Sequence, residues 1–261
     1  MASDDAWTSL RLNPRQEELV ERLRRDRMLS ISALAEALQV STETIRRDVR
    51  GLAAKGVVVK QHGNVLWPEN RDDEPLQRRM AANMGGKKRI AQALAKEIKD
   101  GESLLIDSGS TTMYVAEALR GHRNLTVVTI SAPIAQMLAS GEGNRVFLAG
   151  GEVRADDCAA YGPACLAYLG QFSAETAILS AAAITGDFGV MDHHMCEVEV
   201  CRVLVARAER VIVAADHSKF AAKGLIAACP LADLDLIVTD AAPPRELNAA
   251  LEGADVEVQV A

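Results

Sequence analysis

Residues 41–52 read STETIRRDVRGL, and the pattern of this segment indicates how the N-terminal part of the chain folds. Ser41 has the side chain of a helix N-cap. Ile45, Val49 and Leu52 follow at the spacing i, i+4 and i+7, which places them on one face of a helix. The polar and basic residues between them then face outward. We therefore expect an amphipathic helix with a buried apolar face and an exposed basic surface.

Two helical patterns precede this helix. Asn13 and Pro14 can begin the first one, and Gln16 is placed to reach back and complete a capping box. Ser32 can cap the second, shorter helix, and residues 39–40 then form a tight connection to the third. The order of helix, turn and helix is that of a helix-turn-helix unit.

A predicted β-hairpin follows the third helix. Gly56 can end that helix, and two apolar runs at residues 57–59 and 65–67 flank a turn at residues 62–64. Three helices and a hairpin form a winged helix-turn-helix, whose third helix can lie in the major groove of DNA while the hairpin reaches an adjacent groove or the backbone. Because such units also mediate protein contacts, protein binding remains an alternative.

The basic charge of the chain is confined to this region. The whole chain has a net charge of -7, but residues 1–62 have 11 basic and 9 acidic residues, whereas residues 63–261 have 18 and 27. A local basic patch suits contact with phosphates at one site, although it can also be a solvated helix face. The acidic total argues against an architectural protein that wraps DNA. The side chains predicted to contact DNA are Ser41, Thr42, Thr44, Arg46, Arg47, Arg50, Lys60 and His62.

The bulk composition is that of a globular protein. A chain of 261 residues can form one small and one medium domain. No stretch reaches the roughly 18 consecutive apolar residues of a membrane span, and residues 1–10 lack the profile of a secretory signal. We therefore expect a cytoplasmic protein that contacts no membrane. Five cysteines without a CxxC pair predict reduced thiols instead of disulfides or a zinc ribbon.

Helical and strand patterns alternate in the second part of the chain. A helical stripe after Lys87 is followed by short apolar runs separated by helical segments, which predicts a mostly parallel sheet covered on both faces. The overall prediction is an α/β chain with a winged helix-turn-helix domain at 1–68, a linker at 69–86 and an α/β domain at 87–261. The predicted strands are 104–106, 125–129, 146–149, 177–179, 211–215 and 236–239.

Polar loops follow several predicted strands. Residues 107–112 read DSGSTT at the start of a helix, where free amides and hydroxyls can bind an anion, although the hydroxyls can also simply cap the helix. Lys219 can neutralise a phosphate, and Gly150-Gly151 allows close approach to the backbone. Since ligands bind at the carboxyl ends of parallel strands, these loops predict an anion pocket.

These residues resemble the DeoR family of bacterial regulators. Arg15, Leu19 and Leu23, followed by the sequence STETIRRDV at 41–49, are similar to the DNA-binding signature of that family. His62-Gly63 fits the family's wing, with Asn64 where a second glycine is usual. Three further segments are similar to motifs of the family's sensor domain: DSGSTT at 107–112, LAGGEVR at 148–154 and ADHSKF at 215–220.

The resemblance implies a repressor whose sensor domain has a fold similar to ribose-phosphate isomerases and CoA transferases and binds phosphorylated sugars or related metabolites. Residues 107–112, 191–202 and 240–244 are most similar to the glycerol-3-phosphate repressor group, which implies a small polyol phosphate. Ile130 replaces a common Asn and Cys201 a common Lys, so the effector can differ. The predicted effector-binding residues are Asp107, Ser108, Gly109, Ser110, Thr111, Thr112, Ser131, Gly150, Gly151, Arg154, Glu197, Asp216 and Lys219.

Two other kinds of site, an enzyme active site and a metal site, are alternatives to this interpretation. Glu197 and Lys219 are residue types that serve proton transfer and phosphate binding in a sugar-phosphate isomerase or transferase, but an attached DNA-binding unit argues against an enzyme, so we expect no catalytic residues. His193-His194, Cys196 and Cys201 could ligate a metal. Adjacent histidines seldom bind the same ion, so we expect no metal and no cofactor.

The expected partners are double-stranded operator DNA and a phosphorylated sugar or polyol. Because one small winged unit rarely binds DNA tightly enough alone, we expect a homodimer or homotetramer. The effector is expected to favour an arrangement that no longer fits the operator of a sugar or polyol catabolic operon, so that repression ends.

Overall fold

A computed structural model describes residues 12–26, 28–54, 57–61, 64–66 and 75–261. The chain divides into two compact units, Met1–Asp73 and Glu74–Ala261. Several sequence predictions lie outside the described residues, namely those for Lys55, Gly56, His62, Gly63, Trp67 and Pro68.

The described part of the first unit contains three helices and a small antiparallel sheet of strand order β1-β3-β2. Asn13 and Gln16 form the predicted capping box at the start of the first helix. Ile45, Val49 and Leu52 are buried in one apolar cluster, as their spacing predicts. The elements are α1 (Pro14–Asp26), β1 (Met28–Ser30), α2 (Ile31–Ala37), α3 (Thr42–Ala54), β2 (Val59–Gln61) and β3 (Asn64–Leu66).

The cap of α2 differs from the sequence prediction. Ser30, and not Ser32, caps this helix, because its Oγ accepts a hydrogen bond from the backbone N–H of Ala33 at 3.0 Å. The earlier start brings Ile31 into the helix, where it is buried in the core. The hairpin strands are also displaced from the predicted runs, since Val57 and Val58 are buried ahead of β2.

The described part of the second unit is built on seven parallel strands in the order β15-β14-β12-β9-β4-β5-β6. Its elements from the start of the unit to the middle of the sheet are α4 (Leu76–Ala81), α5 (Met84–Ala95), β4 (Ser103–Ile106), α6 (Ser110–Ala118), β5 (Thr126–Thr129), α7 (Ala132–Ala139), β6 (Arg145–Leu148), β7 (Glu152–Val153), β8 (Ala160–Tyr161), α8 (Pro163–Leu169) and β9 (Ala174–Leu179). The remaining elements are β10 (Ala183–Thr185), β11 (Gly189–Asp192), α9 (Met195–Ala206), β12 (Ala208–Ala214), β13 (Ile226–Cys229), β14 (Leu236–Thr239), α10 (Arg245–Gly253) and β15 (Glu257–Val260).

Helices cover both faces of the seven-stranded sheet. Leu104 and Ile106 on β4 pack into a cluster with residues of α5, α6 and α7, whereas Leu105 packs into a second cluster with residues of α8, α9 and α10. Successive side chains of a strand point to opposite faces, so one short strand supplies both clusters. This confirms the predicted parallel α/β architecture. The edge strand β15 was not predicted; its two end residues are exposed and its two middle residues are only half-buried, so it has no continuous apolar run.

Part of the predicted linker belongs to the second unit. Residues 75–86 lie within it and include α4 and the start of α5. The Tyr114 hydroxyl donates a hydrogen bond to the carbonyl oxygen of Met80 at 2.9 Å, and Lys87 Nζ donates one to that of Ala82 at 2.9 Å. Side chains of α5 and α6 thus satisfy the backbone of this stretch, which sequence alone presented as polar and interrupted by Pro75.

Candidate functional site

The exposed side of α3 carries a basic surface. Arg46, Arg47 and Arg50 are exposed, as is Thr42. Arg46 lies 3.6 Å from Glu43, an exposed pair of the kind that contributes little free energy. The structure therefore brings the predicted arginines together on one helix.

Asp48, the one acidic residue between Arg46 and Arg50, does not lie on this surface. Its carboxylate is buried and accepts hydrogen bonds from Arg15 at 2.6 Å and Gln16 at 3.2 Å, both on α1. The inward ion pair removes a negative charge that would repel an anion at the exposed face of α3.

The remaining predicted DNA contacts have mixed positions. Ser41 caps α3 as predicted, since its Oγ accepts a hydrogen bond from the N–H of Thr44 at 3.1 Å and lies 2.9 Å from the Thr44 hydroxyl. Lys60 is exposed on β2, and His62 lies outside the described residues.

The loop between β4 and α6 forms a closely packed turn. Gly109 is the N-cap of α6, and Ser110, Thr111 and Thr112 are buried in the first helical turn. A Cβ atom at Gly109 would lie 2.2 Å from the Oγ of Ser180, so this position has no room for a side chain. The backbone N–H groups at the start of a helix carry partial positive charge, and an anion is stabilised there.

Asp107 joins this loop to the end of β9. One carboxylate oxygen accepts hydrogen bonds from the backbone N–H and the hydroxyl of Ser180 at 2.6 and 2.9 Å. Among the described residues, the buried Oδ1 atom has no hydrogen-bond partner. Burial raises the pKa of Asp107 to about 6, against the opposing effect of the Ser180 hydrogen bonds.

A network of charged and polar groups surrounds Arg154, just after β7. Its guanidinium donates to Asp157 at 3.1 Å from Nε, to the Tyr161 hydroxyl at 2.8 Å and to Glu197 on α9. Tyr161 also donates to Asp157 at 3.0 Å. Burial would raise the pKa of Asp157, but the hydrogen bonds from Arg154 hold it below its ordinary value. Burial raises the pKa of Tyr161 above its ordinary value, so the hydroxyl keeps its proton.

A narrow cleft lies between Asp107 and α9. Its walls carry three carboxylates, those of Asp107, Asp192 and Glu197. Burial, followed by the hydrogen bond with Glu197, raises the pKa of Asp192 well above its ordinary value, which favours the protonated carboxyl group as a hydrogen-bond donor. A cleft with both donor and acceptor carboxyl groups can bind hydroxyl groups from either direction.

The two departures from the family pattern both line this cleft. Ile130 and Cys201 are buried and belong to its lining, together with the three carboxyl groups. Sequence reasoning identified Asp107, Ser108 and Glu197 as site residues but missed Asp157, Tyr161, Ser180 and Asp192. Ser180 directly follows the predicted strand 177–179, and that position was the available signal for it.

Other predicted effector residues have structural tasks or lie apart from the cleft. Ser131 is buried, and its hydroxyl caps α7. Gly151 packs against the backbone of Tyr161, where a Cβ atom would lie 2.4 Å from the carbonyl oxygen, whereas a Cβ atom at Gly150 would meet nothing within 4 Å. Asp216 is buried at the end of β12 and pairs with Lys87, and Lys219 is half-buried in the 3-10 turn that Asp216 caps.

In the part of the chain that the structure describes, His, Cys, Asp and Glu side chains form no group of three or more that is suited to hold a metal ion. Within the same residues, no helix has the length and apolar character needed to span a membrane.

Structural comparison gives matches that cover about half of this chain. Ribose 5-phosphate isomerase from Methanocaldococcus jannaschii matches with a TM-score of 0.37 and 17% identity, covering 53% of this chain and 55% of that one. A domain of a possible sugar-binding transcriptional regulator from Arthrobacter aurescens TC1 matches with a TM-score of 0.37 and 12% identity, covering 56% and 80%.

Sequence comparison covers nearly the whole chain. The HTH-type transcriptional repressor CsqR of Escherichia coli is 30% identical over 96% of both chains. The glycerol-3-phosphate regulon repressor of the same organism is 31% identical over 94% of this chain and 98% of that one. The transcriptional repressor AccR of Agrobacterium fabrum is 35% identical over 87% and 88%. These relatives are named as repressors and not as enzymes, in agreement with the expectation from the sequence.

Two family models match the two parts of the chain. The DeoR-like helix-turn-helix domain matches residues 15–71, and the DeoR C terminal sensor domain matches residues 82–241. Together with the α3 surface and the parallel sheet, these matches establish that the chain belongs to the DeoR family of transcriptional regulators.

Proposed function

We propose that this protein represses a sugar or polyol catabolic operon and releases its operator when a phosphorylated sugar or polyol binds the second unit. The observation that carries the DNA-binding part is the surface of α3. Arg46, Arg47 and Arg50 are exposed there, and Asp48 is turned inward to Arg15. Such a helix meets phosphates through its cations and base edges through its polar side chains.

The effector is proposed to bind with its phosphate at the first turn of α6. The backbone amides of residues 109–112 and the ammonium group of Lys219 supply positive charge, and Gly109 brings the backbone close. The hydroxyl groups of the effector are proposed to enter the cleft of Asp107, Asp192 and Glu197. Carboxyl groups there bind hydroxyl groups better than they bind a phosphate. One relative is named a glycerol-3-phosphate regulon repressor, which makes glycerol 3-phosphate the first compound to test.

The acting form is proposed to be a cytoplasmic homodimer or homotetramer. Two recognition helices on repeated half-sites multiply the affinity of one small unit, and a change in their spacing is enough to release DNA. Analytical ultracentrifugation of the full chain with and without DNA measures the number of subunits, and a monomer on DNA would contradict this part.

The function is tested by selecting genomic fragments of the source organism with the purified full chain, followed by binding titrations. We expect a preferred site bound at least about 10³ times more tightly than random duplex. Glycerol 3-phosphate should release that site, while glycerol and inorganic phosphate at equal concentration should not. Equal, salt-sensitive binding to every duplex would refute the repressor function, and failure of glycerol 3-phosphate alone would redirect the effector search to larger sugar phosphates.

A further inference from the structure

A buried lysine joins two parts of the second unit that lie far apart in the sequence. Lys87 on α5 is 2% exposed, whereas the next two residues of the helix are exposed. Its Nζ donates hydrogen bonds to the carbonyl oxygens of Arg79 and Ala82, the second at 2.9 Å. The same Nζ lies 3.7 Å from Oδ2 of Asp216, which is also buried. The two carbonyl oxygens thus accept hydrogen bonds from the ammonium group, and the Asp216 carboxylate forms an ion pair with it.

Packing alone does not explain a charged side chain at this position. Burial lowers the pKa of Lys87 while Asp216 opposes that shift, and the nearby charges of Lys219 and Arg79 lower it further. A buried ammonium group is unfavourable unless it is paired and hydrogen-bonded, and an apolar residue of similar size would fill the same space without that cost. The position of the partners therefore indicates what the ammonium group does.

The two partners belong to functionally different segments. The carbonyl groups of Arg79 and Ala82 end α4, which is the first helix after the boundary between the two units. Asp216 lies two residues after β12, and its carboxylate accepts a hydrogen bond from the N–H of Ser218 at 3.0 Å, so it also shapes the turn that contains Lys219. Lys87 thus contacts the segment that leads from the DNA-binding unit and a loop proposed to bind the effector.

A second set of contacts also joins the segment after α4 to the strand ends of the sheet. Asn83, in the turn between α4 and α5, donates a hydrogen bond to Asp240 at 2.9 Å, and the backbone N–H of His217 donates one to the same carboxylate at 2.8 Å. Gly86 lies so close that a Cβ atom there would be 2.2 Å from Asp240 Oδ2. The ends of the adjacent strands β12 and β14 are therefore both attached to the turn that follows α4.

We propose that Lys87 is a positioning residue that couples the loop at residues 216–220 to α4, and through α4 to the chain that leads to the DNA-binding unit. The proposal rests on the proposed function, because it takes this loop as part of the effector site. When a phosphate group binds Lys219, the loop and its Asp216 carboxylate shift. The ammonium group of Lys87 then transmits the shift to the carbonyl groups that end α4.

The coupling is tested first without any ligand, by hydrogen exchange and mass spectrometry of the full chain. Lys87→Met should raise exchange in residues 76–83 and in residues 216–220, each by on the order of tenfold. Asp216→Asn should raise exchange in residues 76–83, although it lies more than a hundred residues away in the sequence.

Lys96→Met is the matched control. Lys96 is an exposed lysine at the end of α5, so its replacement should change neither segment. Unchanged exchange at 76–83 in Asp216→Asn would overturn the coupling, and this variant decides the matter if Lys87→Met does not fold.

The second measurement is release of operator DNA by glycerol 3-phosphate. Lys87→Met should bind the operator but need on the order of tenfold more glycerol 3-phosphate for release, with Lys87→Arg closer to the wild type. A wild-type response in Lys87→Met would overturn the proposal. If the wild type itself does not respond to any sugar phosphate, the proposed effector function fails, while the exchange experiment still decides whether Lys87 couples the two segments.

Discussion

Arg15 on α1 and Asp48 on α3 form an ion pair with 2.6 Å between Nε and Oδ2, and this pair joins α3 to α1. Gln16 donates a further hydrogen bond to the same carboxylate at 3.2 Å. The pair therefore has two effects, since it orders the helix and removes an acidic side chain from its exposed face.

Asp48→Ala is expected to destabilise the first unit while leaving the second unit intact. The mutation leaves the Arg15 and Gln16 donors without their acceptor, and the first unit should lose roughly 5 °C in Tm. Calorimetry or circular dichroism of the full chain measures the transition, with Glu43→Ala on the exposed side of α3 as the control. Equal Tm values for the two variants would show that the pair contributes nothing to folding.

Arg47→Ala is expected to weaken operator binding without changing the fold. Arg47 is exposed on α3, so its loss removes a cation from the proposed DNA surface and no contact from the core. The affinity should fall by about tenfold, and if the contact is to a phosphate the salt dependence should lose about one unit of slope. Fluorescence anisotropy at several salt concentrations measures both quantities. Arg120→Ala, exposed on the second unit, should bind like the wild type, and a matching loss in that variant would point to bulk charge instead of a specific surface.

The helices of the first unit could be predicted because their periodicity directly reflects burial. Ile45, Val49 and Leu52 recur at the spacing of a helix face, and all three are buried in the same apolar cluster. The cap of α2 was assigned wrongly because Ser30 and Ser32 are chemically equivalent caps, and the choice between them depends on the burial of Ile31 in tertiary structure.

The candidate effector site was predicted in part for a related reason. The loop at 107–112 is continuous in the sequence and could be recognised alone. Its partner Ser180 lies 73 positions later and reaches Asp107 because β9 pairs with β4, which depends on the order of strands in the sheet. Asp192 and Tyr161 likewise enter the site through tertiary packing, so local pattern gave no signal for either.

Gly109→Ala is expected to disturb the β4–α6 loop, whereas Gly150→Ala is not. The new methyl group at position 109 would lie 2.2 Å from Ser180 Oγ and 2.8 Å from Ser180 Cβ, and at position 150 it would meet nothing within 4 Å. The backbone at Gly109 is extended, so the expected loss of about 1–3 kcal/mol comes from overpacking alone. Urea denaturation of both variants gives the comparison. Equal stability would mean that Ser180 can move away, and that the loop is less closely packed than the distances indicate.

Asp107→Asn is expected to stabilise the protein at neutral pH and to have little effect in acid. The folded-state pKa of Asp107 is about 6, above its ordinary value of 3.8, because burial disfavours the charged carboxylate. The folded state therefore holds more protons than the unfolded state between these two pH values, and stability falls as the pH rises through this window. Asparagine removes that loss. At about 1.4 kcal/mol for each pKa unit, the loss amounts to at most about 3 kcal/mol at pH 7.

Urea denaturation of wild type and variant from pH 3.5 to 8 measures the difference in stability, which should grow through the window and level off above pH 7. A difference that does not depend on pH would show that Asp107 titrates normally in the folded state. The Asp107 carboxyl group is proposed to bind an effector hydroxyl, and its Oδ1 atom has no hydrogen-bond partner among the described residues, so the same variant should also respond less strongly to glycerol 3-phosphate. Increased stability together with weaker effector response would indicate that the folded protein retains a destabilising carboxylate at this position for ligand binding.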